Sequence, residues 1–377
     1  MCMSPRHTWR AALLFFTLVL CFHRITSVNV VEKHSRSHYT QHGVRLPSRA
    51  FTGALHEAAI DISHLSCRKS LVVLCMANEE ALQHTVPYFL ESLSRVVVTG
   101  GRQDGQAFDG RVVLVAWSLD AMRACRDLQA KYKHHCVRDA QHTAATGSFS
   151  FHDSGFNSLG FAKVKYILNG LSAGHDVVFL DTDIVVLRDP VPYLLGHGAD
   201  LFGSMEKCMV YNDSHDFNSP EFLALRKPPP AINIGVLYFK ATAGVTRCVY
   251  NWAWDMRTEV ATRPMLWDQD IYGKVMSRCT ARHELRFQVL DPRLFQSACF
   301  PGCGCRFRND EISPARIGKF SRGARKLPGG VCGPQHWRRW LLKHFPCSGV
   351  TKQKAEMMRE LVAGYYGNKT ANIVGLR

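Results

Sequence analysis

The chain has 377 residues, of which 46% are apolar and 21% charged, and it carries a formal net charge of +16. This composition is ordinary for a globular protein, and the length suits one large α/β domain plus extensions. The positive charge would suit nucleic acid, an anionic membrane surface or acidic substrates. Because there is no RNP-like or zinc-finger pattern and Arg and Lys are spread along the chain, we do not expect nucleic acid as a partner.

The N-terminal segment, residues 1–27, predicts delivery to the secretory pathway. Basic residues precede a twelve-residue stretch, 11–22, that is almost entirely apolar. A bilayer span needs about 20 residues, whereas this length is typical of the apolar region of a signal peptide. The alternatives are a short signal anchor, as in a type II membrane protein, and a mildly apolar N-terminal helix. Residues 28–68 are polar and without periodicity, which predicts a flexible lumenal stem before a folded domain over 69–377.

Cysteine usage indicates an oxidising compartment. Twelve of the fourteen cysteines lie beyond residue 60, and an even number of this size favours disulfides. Cys299, Cys303 and Cys305 crowd one loop, and their spacing matches no common zinc pattern, so disulfides are favoured over zinc there. Two N-glycosylation triplets, 212–214 and 368–370, fit the same compartment.

The folded domain begins with alternating strand and helix patterns. In chain order, the sequence predicts a strand at 70–76, a helix over 79–93 interrupted by Pro87, a strand at 111–117, a helix over 120–133 capped by Asp120, a loop over 134–159 and an amphipathic helix at 161–171. Alternation of this kind predicts an α/β fold with a mostly parallel, doubly wound sheet and helices on both faces.

The most informative stretch lies near the middle of the chain. The apolar run 177–180 suits a strand buried on both faces, and it ends in Asp181-Thr182-Asp183. Two carboxylates at the end of a buried strand are costly to desolvate without a partner, and no Lys or Arg lies within four residues of either. A hard divalent cation, Mn²⁺ or Mg²⁺, is the natural partner. The alternative is a strand-to-loop turn whose Asp pair caps local amides.

The second half of the domain is less regular. The sequence predicts strands at 200–205 and 231–239, a turn at Asp189-Pro190, a polar loop over 212–230, and helices at 242–256 and 267–276. Asn233 and Gly235 interrupt the strand at 231–239. A glycine inside a strand often marks close approach of a ligand or another backbone, and Asn233 can donate to and accept from sugar hydroxyls. A bulge is the alternative for Asn233.

Taken in this order, the motifs resemble the nucleotide-diphospho-sugar transferase family of plants and algae, which includes wall and glycoprotein α-xylosyl-, arabinosyl- and galactosyltransferases. The motifs are a buried strand into Asp-x-Asp, then Leu-Arg-Asp-Pro, Asn-x-Gly, Asp-Gln and a late His. The resemblance covers about residues 70–361 and is most specific over 161–190. It implies a GT-A fold with a mixed C-terminal half, a divalent metal, a UDP-sugar donor and a Golgi-facing catalytic domain. It also implies transfer, with retention of configuration, to a glycan, polysaccharide or glycoprotein. The insertion at 212–230 and the Cys-rich loop depart from the family pattern.

The resemblance implies a metal and phosphate site. Asp183 would bind the metal, and Asp181 the metal or the donor ribose. His344 would complete the metal site, with His336 as the replacement if His344 is only a surface histidine. Lys352, in Gly-Val-Thr-Lys, would hold the diphosphate.

The resemblance also implies a sugar site. Lys163, Asn233 and Gly235 would border the donor, although a solvated lysine is an equal alternative for Lys163. Asp268, Gln269 and Asp270 open a helix, where carboxylates are commonly caps, and would face the anomeric carbon. A carboxylate there could attack covalently, whereas Gln269 could only stabilise, so a covalent intermediate and a same-face displacement both stay open.

Two other classes of function fit parts of the pattern. A haloacid-dehalogenase-like phosphatase would use Asp181 as nucleophile and Asp183 as acid, but it usually carries this motif on its first strand and needs a later Asp-rich loop. A non-catalytic, glycan-binding protein with a transferase-like fold is the second, and the intact Asp-Thr-Asp argues against it.

Overall fold

The computed structural model describes residues 48–65, 70–138, 154–205, 232–264, 266–296, 337–346 and 350–367. The predicted targeting segment, the polar loop at 212–230, the Cys299–Cys305 loop, His336 and both N-glycosylation triplets lie outside the described residues. Within those residues, no helix combines the length and apolar character that crossing a membrane requires.

Helices and strands alternate through the described part of the chain. The helices are α1 Arg49–Ala58, α2 Glu79–His84, α3 Val86–Ser94, α4 Leu119–Leu128, α5 Ser154–Ser172, α6 Val191–Gly196, α7 Ala243–Thr262, α8 Asp268–Arg282 and α9 Thr351–Tyr366. The strands are β1 Ile60–Asp61, β2 Ser70–Ala77, β3 Val112–Ala116, β4 His135–Arg138, β5 Asp176–Leu180, β6 Ile184–Val186, β7 Leu201–Met205, β8 Ile232–Phe239, β9 Phe287–Val289, β10 Phe295–Gln296 and β11 Leu342–His344.

The main sheet has the strand order β4-β3-β2-β5-β8-β7-β9, and β1 adds to the start of β2. Strands β4, β3, β2 and β5 are mutually parallel, whereas β8 is antiparallel to both β5 and β7. The predicted α/β architecture, a mostly parallel Rossmann-like sheet with a mixed C-terminal half, is confirmed.

Apolar side chains cover both faces of this sheet. Along β2, Leu71, Val73 and Cys75 belong to one buried cluster, while Val72 and Leu74 belong to the other. Each cluster also contains side chains from flanking helices. A strand with helices on both faces has no solvent side, which explains the continuous apolar runs in the sequence.

A second, three-stranded sheet brings the end of the chain to the centre. Its order is β10-β11-β6, and the antiparallel pairing of β11 with β6 places His344 opposite Ile184. The residue before Ile184 is Asp183, and its backbone oxygen accepts a hydrogen bond from Phe345 N at 3.0 Å. This small sheet therefore joins the C-terminal segment to the carboxyl end of β5.

Helix α1 corrects the prediction that residues 28–68 form a flexible stem. Ser48 caps this helix through a hydrogen bond from Phe51 N, and Phe51, Leu55 and Ala58 are buried. These positions are spaced by four and three residues, which is the spacing of one helix face. The folded domain therefore includes residues before 69, and polar composition hid a short amphipathic helix.

The region before α5 also differs from its prediction. Ser118, rather than Asp120, caps α4 by accepting a hydrogen bond from Ala121 N at 2.9 Å, and the helix ends at Leu128. Strand β4 and the first turns of α5 occupy parts of the predicted loop at 134–159. A disulfide between Cys125 and Cys136 ties α4 to β4, so this short edge strand has a covalent support that the sequence pattern does not reveal.

Candidate functional site

Three side chains that could bind a metal ion meet at the carboxyl end of β5. His344 Nε2 lies 3.0 Å from Asp183 Oδ1 and 3.9 Å from Asp181 Oδ2. The pairing of β11 with β6 delivers the histidine, and a hydrogen bond from Asp181 N to Gly235 O at 2.8 Å fixes the end of β5 against β8. The predicted trio of Asp181, Asp183 and His344 is thus assembled from two distant parts of the chain.

The chemistry of this trio fits a divalent cation. One ligand atom from each residue lies within 4.8 Å of the others. Carboxylate oxygens and a neutral imidazole are ligands that Mn²⁺ accepts, and carboxylates suit Mg²⁺. A carboxylate must be ionised to bind a cation. Burial works to raise the pKa of the Asp183 carboxyl, but Lys354 and His344 outweigh burial and hold that pKa well below its usual value, so Asp183 meets this requirement.

Gly235 provides the space for this cluster. A Cβ at this position would lie 2.2 Å from His344 Cε1 and 2.8 Å from Asp181 Oδ2. No side chain fits at these distances, so the glycine inside β8 marks the close approach of two side chains. The donor-binding role assigned to Gly235 from the sequence stays a prediction.

Two lysines supply the charge partners that the local sequence lacks. Lys354 Nζ lies 2.7 Å from Asp183 Oδ2 although the residues are 171 positions apart, and Lys163 Nζ lies 3.1 Å from Asp181 Oδ1. Lys163 was among the predicted site residues, but Lys354 was missed. Only its inward-facing side could have been inferred, because Lys354, Met358 and Leu361 follow the spacing of one helix face and the latter two are buried.

Lys163 also reaches the first turn of α8. Its Nζ lies 3.7 Å from Asp268 Oδ2 and 3.4 Å from Ile234 O, and its side chain is only 8% exposed. Burial raises the pKa of Asp268, with Lys163 opposing this in part. Burial lowers the pKa of Lys163, but Asp181 and Asp268 outweigh it and raise that pKa overall. The lysine therefore stays charged and sits closer to Asp181 than to Asp268.

The other predicted sugar-site residues have local structural partners. Gln269 Oε1 accepts a hydrogen bond from Ile234 N at 3.4 Å, and Asp270 is exposed and accepts from Trp267 N at 3.3 Å as a helix cap. Asn233 Oδ1 accepts from Gly235 N at 2.9 Å, and this residue pairs with Ser204 where the register between β7 and β8 shifts. These contacts are a link from α8 to β8, a helix cap and a strand irregularity, so the roles of Asn233, Gln269 and Asp270 in binding or catalysis stay predictions.

Lys352 lies on the side of α9 that faces away from the cluster of Asp181, Asp183 and His344. It is exposed at the start of α9, on the same outward side as the exposed residues Glu356 and Arg359. The structure thus brings together Lys163, Asp268 and the predicted metal ligands, and the lysine of α9 that faces them is Lys354.

Residues 110–312 match the sequence model of the nucleotide-diphospho-sugar transferase family. This region is more than half of the 377 residues. The chain belongs to the nucleotide-diphospho-sugar transferase family.

Individual relatives match over part of their length. UDP-D-xylose:L-fucose alpha-1,3-D-xylosyltransferase 1 of Arabidopsis thaliana is 25% identical over 226 residues, which are 59% of this chain and 58% of the relative. Arabinosyltransferase XEG113 of the same plant is 26% identical over 126 residues, 33% of this chain and 18% of the relative. The structure of mouse xyloside xylosyltransferase 1 aligns with a TM-score of 0.34 at 17% identity, covering 60% of this chain and 86% of that one. The chain therefore spans less than two thirds of the length of these two plant relatives.

Proposed function

We propose that the chain is a metal-dependent glycosyltransferase that moves a sugar from a UDP-sugar to a glycan or glycoprotein acceptor with retention of configuration. The observation that carries this proposal is the trio Asp181, Asp183 and His344 at the carboxyl end of β5, where open α/β sheets bind ligands. Membership of the nucleotide-diphospho-sugar transferase family supports the reaction class.

In this proposal the trio would hold a divalent cation, Mn²⁺ or Mg²⁺. Such an ion supplies charge neutralisation for a diphosphate leaving group. Asp183 is already ionised because Lys354 and His344 lower its pKa, so it can bind a cation without first losing a proton. Lys354, at 2.7 Å from Asp183, would share a bound phosphate with the ion. This replaces Lys352 as the preferred candidate for that contact.

The opposite end of the cluster would bind the sugar. Asp268 is buried beside Lys163, whereas Asp270 is exposed and caps its own helix. Of the two carboxylates, Asp268 is therefore the better candidate for a group that faces the anomeric carbon. Gln269 holds β8 through Ile234 N and would stabilise positive charge there through its side-chain oxygen, and Asn233 and Gly235 would border the sugar.

A location in the Golgi lumen or elsewhere in the secretory pathway completes the proposal. The two disulfides in the described residues, Cys125–Cys136 and Cys248–Cys279, support an oxidising compartment. The segment 1–27 would deliver the chain there as a signal peptide or an anchor.

A panel of UDP-sugars tests the proposal directly. We expect Mn²⁺-dependent release of UDP from at least one donor, loss of that release in excess EDTA, and an anomeric product configuration, read by NMR, that matches the donor. Hydrolysis of a generic phosphomonoester instead would indicate the phosphatase, which family membership already disfavours. Binding of glycan with no turnover of any UDP-sugar would indicate the non-catalytic protein and would refute the proposal.

A further inference from the structure

Helix α5 approaches the first turn of α8 at a glycine. A Cβ built at Gly160 would lie 2.8 Å from both Cβ and Cγ of Asp268, and 3.1 Å from its Oδ2. Carbon atoms in packed interiors lie about 3.5–4.0 Å apart, so even an alanine would not fit without displacing Asp268. Gly160 is thus the position where the backbone of α5 and the buried carboxylate of Asp268 pack directly on each other.

The same face of α5 carries Lys163. Residues three positions apart on a helix lie side by side, so Gly160 and Lys163 contact the same partner from adjacent positions. Lys163 Nζ lies 3.7 Å from Asp268 Oδ2 and 3.1 Å from Asp181 Oδ1. A lysine can bridge both carboxylates only if Asp268 lies this close to α5.

A second contact holds the backbone of Asp268. The indole Nε1 of Trp252, a fully buried residue of α7, donates a hydrogen bond to Asp268 O at 3.0 Å. Trp252 in turn packs edge-on against Tyr272 of α8, with ring centroids 4.8 Å apart. The first turn of α8 is therefore held by α7 through its backbone and by α5 through its side chain.

We propose that Gly160 is a positioning residue for the sugar end of the site: by leaving room for Asp268 against α5, it allows Lys163 to bridge Asp268 and Asp181. This inference rests on the proposed glycosyl transfer, because it assigns Asp268 to the donor sugar. In this proposal Gly160 acts through Asp268 and has no direct role in binding the donor or the cation.

The test compares two alanine substitutions in one helix. Gly160→Ala should lower kcat for the preferred UDP-sugar roughly 10- to 100-fold, as expected when a group at the reacting centre is displaced. It should leave the Kd of UDP with Mn²⁺ within about twofold, because UDP lacks the sugar. Gly170→Ala is the matched control, since its Cβ would also be crowded, at 2.7 Å from Val177 Cγ2, but would not contact Asp268. This substitution should lower Tm but keep kcat. Unchanged kcat in Gly160→Ala, or an equal loss in Gly170→Ala, would overturn the inference.

A double-mutant cycle that compares Tm values tests the contact between Gly160 and Asp268 without measuring activity. If Gly160→Ala destabilises through Asp268, the loss of Tm that it causes should be smaller in an Asp268→Gly background than in the wild type, since the clash is then absent. An equal loss of Tm in both backgrounds contradicts the contact, even where Gly160→Ala folds too poorly for kinetics. A wild-type protein that neither binds UDP nor turns over any UDP-sugar refutes the proposed function, whereas an active wild type with a fully active Gly160→Ala refutes the positioning role alone.

Discussion

The candidate site contains buried aspartates in two different electrostatic settings. One is the end proposed to bind the metal ion, with Asp181, Asp183 and His344, and the other is the end proposed to bind the sugar, with Asp268 and Lys163. At the metal end, Asp183 lies between His344 and Lys354, with contacts of 3.0 and 2.7 Å. At the sugar end, Asp268 is buried against α5 with Lys163 at 3.7 Å. The pKa of Asp183 is lowered although burial opposes this, whereas burial raises the pKa of Asp268 and one more distant cation does not reverse it.

The difference shows what decides the charge state of a buried carboxylate. Burial penalises the ionised form in both cases, and the outcome depends on the number and distance of positive neighbours. Lys354 and His344 both contact Asp183 directly and keep its carboxyl ionised. Asp268 has one cation, which it shares with Asp181 at 3.1 Å, so its carboxyl takes up a proton more easily than an ordinary aspartate.

Substitution at each end should separate the two roles, and the largest effect is expected at the metal end. Asp183→Ala should lower kcat/KM at least about 10³-fold, the order of loss expected for removing a group that stabilises developing charge, and should also weaken Mn²⁺ binding in calorimetry. Asp268→Asn, which keeps the shape of the side chain, should lower kcat while Mn²⁺ and UDP still bind. Equal loss of Mn²⁺ binding in both variants would contradict the division into two ends.

The next largest effect should be on stability, at the lysine that joins the ends. Lys163→Met removes the positive partner of Asp268 and Asp181, and breaking a buried pair by removing one partner costs about 3–5 kcal/mol. We expect a loss of that order in the free energy of unfolding, measured by urea titration. Asp268→Asn in the Lys163→Met background should recover part of it, because the unpaired buried charge is then gone. A loss below about 1 kcal/mol would show that the contacts of Lys163 with Asp268 and Asp181 contribute little to stability.

Both ends were only partly predictable from the sequence. The apolar run into Asp181 and Asp183 predicted a buried strand and a cation partner, because burial and charge are local properties of the pattern. The identity of the cations was not predictable in the same way: Lys354 reaches Asp183 from 171 positions away, through a helix that follows the β11–β6 pairing. A search within four residues of the carboxylates could not find it.

The same limit applies to the glycines and to α1. The sequence indicated that Gly235 marks a close approach, but the approaching groups, His344 and Asp181, follow from strand order. Gly160 precedes the predicted helix at 161–171 and carried no signal in the sequence, since its neighbour Asp268 lies on another helix. Helix α1 was hidden because its buried residues, such as Phe51 and Leu55, are few and stand in a polar context.

Two buried histidines outside the candidate site, His134 and His175, provide a contrast with His344, which contacts the carboxylates of Asp181 and Asp183. Burial lowers the pKa of both His134 and His175 from 6.5 to about 4. Between pH 6.5 and 4 the unfolded chain therefore binds more protons than the folded protein, so stability is fully present above pH 6.5 and is lost as the pH falls. From pH 7 to 5 each histidine should cost about 1–2 kcal/mol of unfolding free energy. His175→Asn should flatten this slope in urea titrations, and a slope unchanged by the substitution would contradict the assignment. Each of these histidines contacts a neutral group: His175 Nδ1 lies 2.7 Å from Ser70 Oγ, and His134 Nε2 lies 3.2 Å from Cys125 O.

The smallest expected effect concerns two lysines on one helix. Lys354 points to Asp183, whereas Lys352 is exposed two residues earlier. A metal ion and the Lys354 ammonium compete for Asp183 Oδ2, so Lys354→Met should raise the affinity for Mn²⁺ in the absence of donor by a few-fold, equivalent to about 1 kcal/mol.

With the UDP-sugar present, the same Lys354→Met substitution should impair the enzyme rather than improve metal binding. If Lys354 contacts the diphosphate, as proposed, Lys354→Met should raise KM for the UDP-sugar and lower kcat, since a lysine on a phosphate acts as a point charge. Lys352→Met removes the same charge from the same helix and is therefore the matched control, with Mn²⁺ affinity and kinetics near those of the wild type. The reverse pattern, in which only Lys352→Met raises KM for the donor, would return the phosphate contact to Lys352. It would also leave Lys354 as the cation that neutralises Asp183 before the metal ion binds.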